Sequence, residues 1–158
     1  MIKRAVVLTA LSFFLILIGS TAWAEGRQHS LGVDLVRPID EDQYGGMVGV
    51  SYQVSLESHS AFVGTLARRS GYTVFEGLYK VYIDSYFDGP FAAGGLVTGR
   101  YDGESELGLI GALGYELSID QNIVLSGSVE CTWGSMDHPS TSHRNPIFRP
   151  SLSLIFAF

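Results

Sequence analysis

The segment Asp137-His138-Pro139-Ser140-Thr141-Ser142-His143-Arg144-Asn145 gathers two of the chain's four histidines beside hydroxyls and an acid. A histidine activates a serine as a nucleophile when a third group fixes the imidazole, so His138 and Ser140 are the candidate catalytic pair. Asp137, His138 and His143 are also metal-ligating types. A metal centre requires fixed ligand geometry, which this spacing does not supply, and no metal or cofactor is assigned. A polar, solvated loop accounts for the same residues. The second candidate is Glu130 with Arg149. Both lie on polar faces of flanking segments, and folding the chain back around residues 139 and 140 sets them opposite each other, where an ion pair is allowed. His29 and His59 fall near segment ends, with no partner indicated by spacing.

The elements that position these residues begin after residue 24. Lys3 and Arg4 precede an apolar run from Ala5 to Ile18, and Ala22-Trp23-Ala24 fits a small-x-small cleavage site. This is the pattern of a secretory signal peptide; the run is shorter than the roughly 20 residues a spanning helix needs. Its removal leaves residues 25–158 as one domain, with 8 basic and 16 acidic side chains. That balance excludes the basic footprint of a nucleic-acid partner. Cys131 is the only cysteine, so no internal disulfide supports the exported fold, and no lipoprotein cysteine follows the cleavage site.

The remaining chain shows period two rather than a helical period. Ile123, Leu125, Gly127, Val129, Cys131 and Trp133 alternate with Val124, Ser126, Ser128, Glu130 and Thr132. Phe148, Pro150, Leu152, Leu154, Phe156 and Phe158 alternate with Arg149, Ser151, Ser153, Ile155 and Ala157. Strands are expected over about 29–37, 46–54, 60–68, 72–83, 91–99, 105–117, 122–133 and 147–158; alternation is weak over 60–68 and 91–99, which leaves the count of eight open by one hairpin. Charges collect between them, unlike the charged outer faces of a soluble sandwich. An even strand count with apolar-out, polar-in alternation predicts an all-β fold, a closed antiparallel transmembrane β-barrel. In hydrocarbon an open edge leaves backbone groups without partners, so closure is required. With both termini in the periplasm, the connections near 38–45, 69–71, 100–104 and 134–146 face outward. Those near 55–59, 84–90 and 118–121 are then periplasmic. The short 69–71 turn and the long 84–90 turn fit poorly with the usual long outer loops.

This pattern resembles the small eight-stranded outer-membrane barrels of Gram-negative bacteria, the group of the OmpA transmembrane domain and OmpX. The resemblance implies an outer-membrane location, contact with outer-membrane lipid and lipopolysaccharide, and recognition of Leu152, Leu154, Phe156 and Phe158 by the barrel-assembly machinery. His138-Pro139-Ser140 is similar to the His-x-Ser pair of outer-membrane lipid A deacylases. There the pair sits on a strand and a glutamate follows it; here it sits in a predicted loop and no acidic residue follows Asp137.

Inside such a barrel, Asp34, Gln53, Glu76, Lys80, Glu106 and Glu116 are expected to join Glu130 and Arg149. An eight-stranded interior is only wide enough for side chains to fill, so a polar plug is favoured over a porin-like ion path. Glu130→Leu is then expected to destabilise the fold by leaving Arg149 unpaired. Tyr44, Tyr72, Tyr82, Phe91, Tyr101, Tyr115, Trp133, Phe148 and Phe158 are expected to form interfacial girdles. Asp40-Glu41-Asp42 and Asp102-Gly103-Glu104 are solvated loop charge or sites for divalent cations shared with lipopolysaccharide. The reading these features support is a non-enzymatic barrel with a structural, adhesive or surface-binding role, its external ligand unknown. The alternative is a lipid A-modifying enzyme.

Overall fold

The computed structural model describes residues 28–39, 46–101, 103–134 and 146–158. They form eight strands: β1 His29–Asp34, β2 Val48–Glu57, β3 Ser60–Arg69, β4 Tyr72–Tyr82, β5 Gly89–Tyr101, β6 Glu104–Ser118, β7 Ile123–Gly134 and β8 Ile147–Ala157. Each pairs antiparallel with the next, and β1 pairs with β8, so the sheet closes into a barrel with no free edge. At the seam the His29 N–H donates to the Phe158 carbonyl (3.1 Å) and the Phe158 N–H to the His29 carbonyl (2.9 Å). Closure satisfies the backbone groups that an open sheet would leave unpaired.

Alternation sets the two faces. In β4, Tyr72, Val74, Glu76, Leu78, Lys80 and Tyr82 point inward and are buried, while Phe75 and Tyr79 are exposed. In β6 and β8 the leucines and phenylalanines take the outer wall, and Glu116 and Arg149 take the inside. The weak alternation of β3 and β5 does not reduce the strand count. Gly64, Gly94 and Gly95 interrupt the apolar signal there, yet both strands pair along their whole length. Gly95 faces inward where the strands approach closely: a Cβ there would strike the Gly77 carbonyl.

The girdle assignment is corrected at three positions. Tyr72, Tyr82 and Phe91 are 5%, 3% and 5% exposed and belong to the interior. Tyr72 and Tyr82 share the parity of Glu76 and Lys80, and Phe91 lies directly across from Tyr82. Distance along a strand marks nearness to an interface, but parity decides the face. Tyr115, Trp133 and Phe148 are exposed on the outer wall. Tyr44 lies outside the described residues.

Both termini of the barrel lie at one end, together with the 58–59, 83–88 and 119–122 connections. The length of the 83–88 connection has a structural cause. It turns inward, with Phe87 at φ 69° and only 1% exposed, packed on Val124, Ile155 and Ala157. The Ser118 hydroxyl donates to the Phe87 carbonyl (3.1 Å), and the Tyr86 N–H donates to the Ser58 carbonyl (3.0 Å). Tyr86 stands edge-on to Tyr82, with centroids 5.6 Å apart. This aromatic cork closes the terminal end of the lumen.

Candidate functional site

The chemistry of the described chain is concentrated in the lumen, in two ionic layers. The layer nearer the 35–47 and 135–146 connections begins with a local turn. Asp34 Oδ1 accepts the backbone N–H groups of Val36 (2.9 Å) and Arg37 (3.0 Å), an Asx-type turn. This turn ends β1 at Asp34, three residues earlier than expected, and folds Arg37 into the barrel at 1% exposure. Arg37 Nε lies 3.0 Å from Asp34 Oδ2. Its Nη2 donates to both oxygens of Glu76, each at 2.7 Å, and lies 3.7 Å from Glu130 Oε2. Arg149 Nη2 donates to Glu76 Oε1 (2.6 Å), and Arg149 Nε donates to Glu130 Oε2 (2.9 Å).

The second layer lies toward the cork. Lys80 Nζ donates to Glu116 Oε1 (2.6 Å) and Gln53 Oε1 (3.0 Å), and stands 4.1 Å from the Phe91 ring centre. Tyr82 donates to Glu116 Oε2 (2.8 Å) and accepts from Gln53 Nε2 (2.8 Å). Between the layers is a cavity of about 60 Å³ whose lining includes Ser51, Ser126, Ser128, Ser151 and Ser153, large and polar enough for a few waters. Each buried charge thus meets an opposite charge, as the cost of desolvation demands. The layers and the cork together occupy the lumen on either side of this cavity.

Glu130 and Arg149 occupy directly opposed register positions on β7 and β8. Asp34, Gln53, Glu76, Lys80 and Glu116 also lie inside, whereas Glu106 is only partly buried. One consequence changes. Arg149 is shared between Glu130 and Glu76, so removing Glu130 does not leave it unpaired. The sequence reading missed Arg37, whose only signal was its three-residue spacing from Asp34. It also missed the polar role of Tyr82 and the cork residues Tyr86 and Phe87, which lie outside any strand period.

Leu152, Leu154 and Phe156 face outward and are exposed; Phe158 ends the terminal rim, stacked 6.3 Å from His29. The Tyr52 hydroxyl and His29 Nδ1 are 2.7 Å apart, as are the Ser58 hydroxyl and His59 Nδ1. Both contacts are exposed, the second between adjacent residues. Among the described residues no group of three metal-ligating side chains assembles. Residues 1–24, Asp40-Glu41-Asp42, Asp102, and the candidates Asp137, His138, Ser140 and His143 lie outside the described residues.

No protein-family model matches the sequence, and no curated protein matches it. In structure the chain is similar to the N-terminal β-barrel domain of Pseudomonas aeruginosa OprF, with a TM-score of 0.62 at 10% identity, over 84% of this chain and 98% of that one. The chain therefore has the closed eight-stranded antiparallel barrel fold of that domain.

Proposed function

We propose that residues 1–24 are a cleaved signal peptide and that residues 25–158 span the outer membrane of a Gram-negative envelope as a closed, non-enzymatic barrel. One observation carries this reading: the polarity of the molecule is inverted. Large apolar side chains such as Leu107, Leu109, Leu113, Val129 and Phe148 cover the outside at 56–69% exposure, while Glu76, Glu116 and Arg37 are at most 1% exposed inside. In water such a wall is an aggregation hazard; in a bilayer it is the lipid-facing surface.

With both termini periplasmic, the 35–47, 70–71, 102–103 and 135–146 connections face outward. The role is structural, with surface binding through these loops and Gly134 to Pro146 the main contact segment. The filled lumen supports a barrel that does not conduct as a porin does. The terminal Leu152, Leu154, Phe156 and Phe158 pattern supports delivery by the barrel-assembly machinery. The test is fractionation of cells expressing the full chain. The expected product begins at Glu25, sediments with outer membranes and migrates faster on gels before boiling than after. A soluble periplasmic product would overturn the proposal.

A further inference from the structure

Across the eight strands, the outward register positions of the described residues carry one carboxylate, Glu57 beyond the β2 register shift at the terminal end, and two cations, Arg68 and Arg100, at the loop end. The cations are not scattered. Arg68 pairs with Thr73, and Thr73 pairs with Arg100, so the two arginines stand in one cross-strand row with a hydroxyl between them. Adjacent strands are about 4.8 Å apart, which sets the two backbones roughly 10 Å apart, close enough for two long side chains to converge on one group. Both arginines are exposed, and neither has a hydrogen-bond or ionic partner among the described residues. With Gly71, Tyr72, Thr73 and Gly103 they line an open pocket of about 350 Å³ at the loop end of the barrel.

The wall beneath the pocket is hollowed on the same strands. Phe75 follows Thr73 two positions along β4, and Thr98 precedes Arg100 by two along β5, so both face the same side. They enter a groove of about 420 Å³ bordered by Phe62, Tyr79, Leu96 and Leu107. Its floor includes Gly77 and Gly94, and a Cβ on Gly94 would meet no atom within 4 Å. Cations thus stand at one end of an apolar trough that runs down the lipid-facing wall.

We propose that this is a binding site for one phosphorylated glycolipid of the outer leaflet, lipopolysaccharide. A phosphate on its sugar is held by Arg68 and Arg100, with Thr73 between them, and an acyl chain lies in the groove. Guanidinium forks match phosphate oxygens and form the stronger, charge-assisted class of hydrogen bond. The inference rests on the membrane orientation proposed above, which puts this rim in the outer leaflet.

The test is native mass spectrometry of the mature barrel purified from outer membranes in mild detergent. Titrations with lipid A, dephosphorylated lipid A and phosphatidylglycerol follow. Lipid A is expected to bind at least tenfold more tightly than either of the others. Each arginine removed should weaken lipid A binding by roughly tenfold, so Arg68→Ala with Arg100→Ala should lose about a hundredfold. Gly94→Leu should weaken binding by filling the groove, with all variants keeping the gel shift of the folded barrel. Undiminished binding by the double variant, or equal binding of phosphatidylglycerol, overturns the site. A protein absent from outer membranes overturns the orientation beneath it, so the two failures are distinguishable.

Discussion

Glu76 and Glu130 are both buried carboxylates of one ionic layer, yet neutralising them should have unequal cost. Glu76 accepts from Arg37 through both oxygens and from Arg149, at 2.6–2.7 Å. Glu130 has one close partner, Arg149 at 2.9 Å, with Arg37 at 3.7 Å. Glu76→Gln keeps the shape but withdraws the charge shared by both guanidiniums, and breaking a buried pair in this way costs about 3–5 kcal/mol. After Glu130→Gln, Arg149 keeps Glu76 and Arg37 keeps both Asp34 and Glu76. The loss is then nearer that of one buried hydrogen bond, about 1–3 kcal/mol. A difference of about 2 kcal/mol is roughly thirtyfold in the folding equilibrium. The assay is reversible urea unfolding of the mature chain in lipid vesicles. It is read by fluorescence of Trp133, which is 45% exposed on the outer wall. A cycle with Arg149→Gln should show coupling larger with Glu76 than with Glu130. Equal cost for the two glutamine variants would refute the sharing of Glu76.

Four other outcomes are expected. Burial raises the Tyr86 phenol above its ordinary value, with Gln53 and Ser30 opposing it more weakly, and its hydroxyl makes no well-aligned hydrogen bond among the described residues. The neutral form is the one the fold favours. Its contribution is therefore complete below the unfolded value of about 10 and is lost as pH rises through the folded value. Tyr86→Phe should unfold no more easily at pH 8 and should lose less stability in alkali; a cost above about 1 kcal/mol at pH 8 would contradict this. Gly95→Ala should lower the urea midpoint by an amount equivalent to about 1–3 kcal/mol, because its Cβ meets the Gly77 carbonyl, while Gly94→Ala should be neutral; similar midpoints would count against the close approach of β4 and β5. Deleting residues 135–145 should leave the gel shift intact, and mass spectra of lipid A from cells with His138→Ala should equal those with the unaltered chain; a mass change dependent on His138 would make the protein an enzyme.

Alternation is a local property, so six of the eight strands were clearly readable from single segments and β3 and β5 only weakly, and the opposition of Glu130 to Arg149 required only the midpoint of one hairpin. What escaped depended on convergence from distant parts of the chain. Glu76 was recognisable as inward-facing, but not as the carboxylate on which Arg37 and Arg149 meet, because these come from three separate places in sequence. Arg37 reaches the lumen through a turn rather than a strand, and Phe87 through a connection held at positive φ; neither position has a periodic signature. Tyr72, Tyr82 and Phe91 carried the right signal in their parity, which was outweighed by their closeness to strand ends. Glycine blurred β3 and β5 because a residue without a side chain contributes nothing to alternation.

The seam between β1 and β8 makes closure depend on two strands from opposite ends of the barrel sequence. Its backbone bonds join His29 and Phe158, 129 positions apart in sequence. Contacts of such wide sequence separation form late and slowly, and until they form the sheet has two raw edges. Until then the chain needs protection from pairing with copies of itself. A truncation that removes only the final turn of sequence would cost the barrel its fastening rather than one-eighth of its wall.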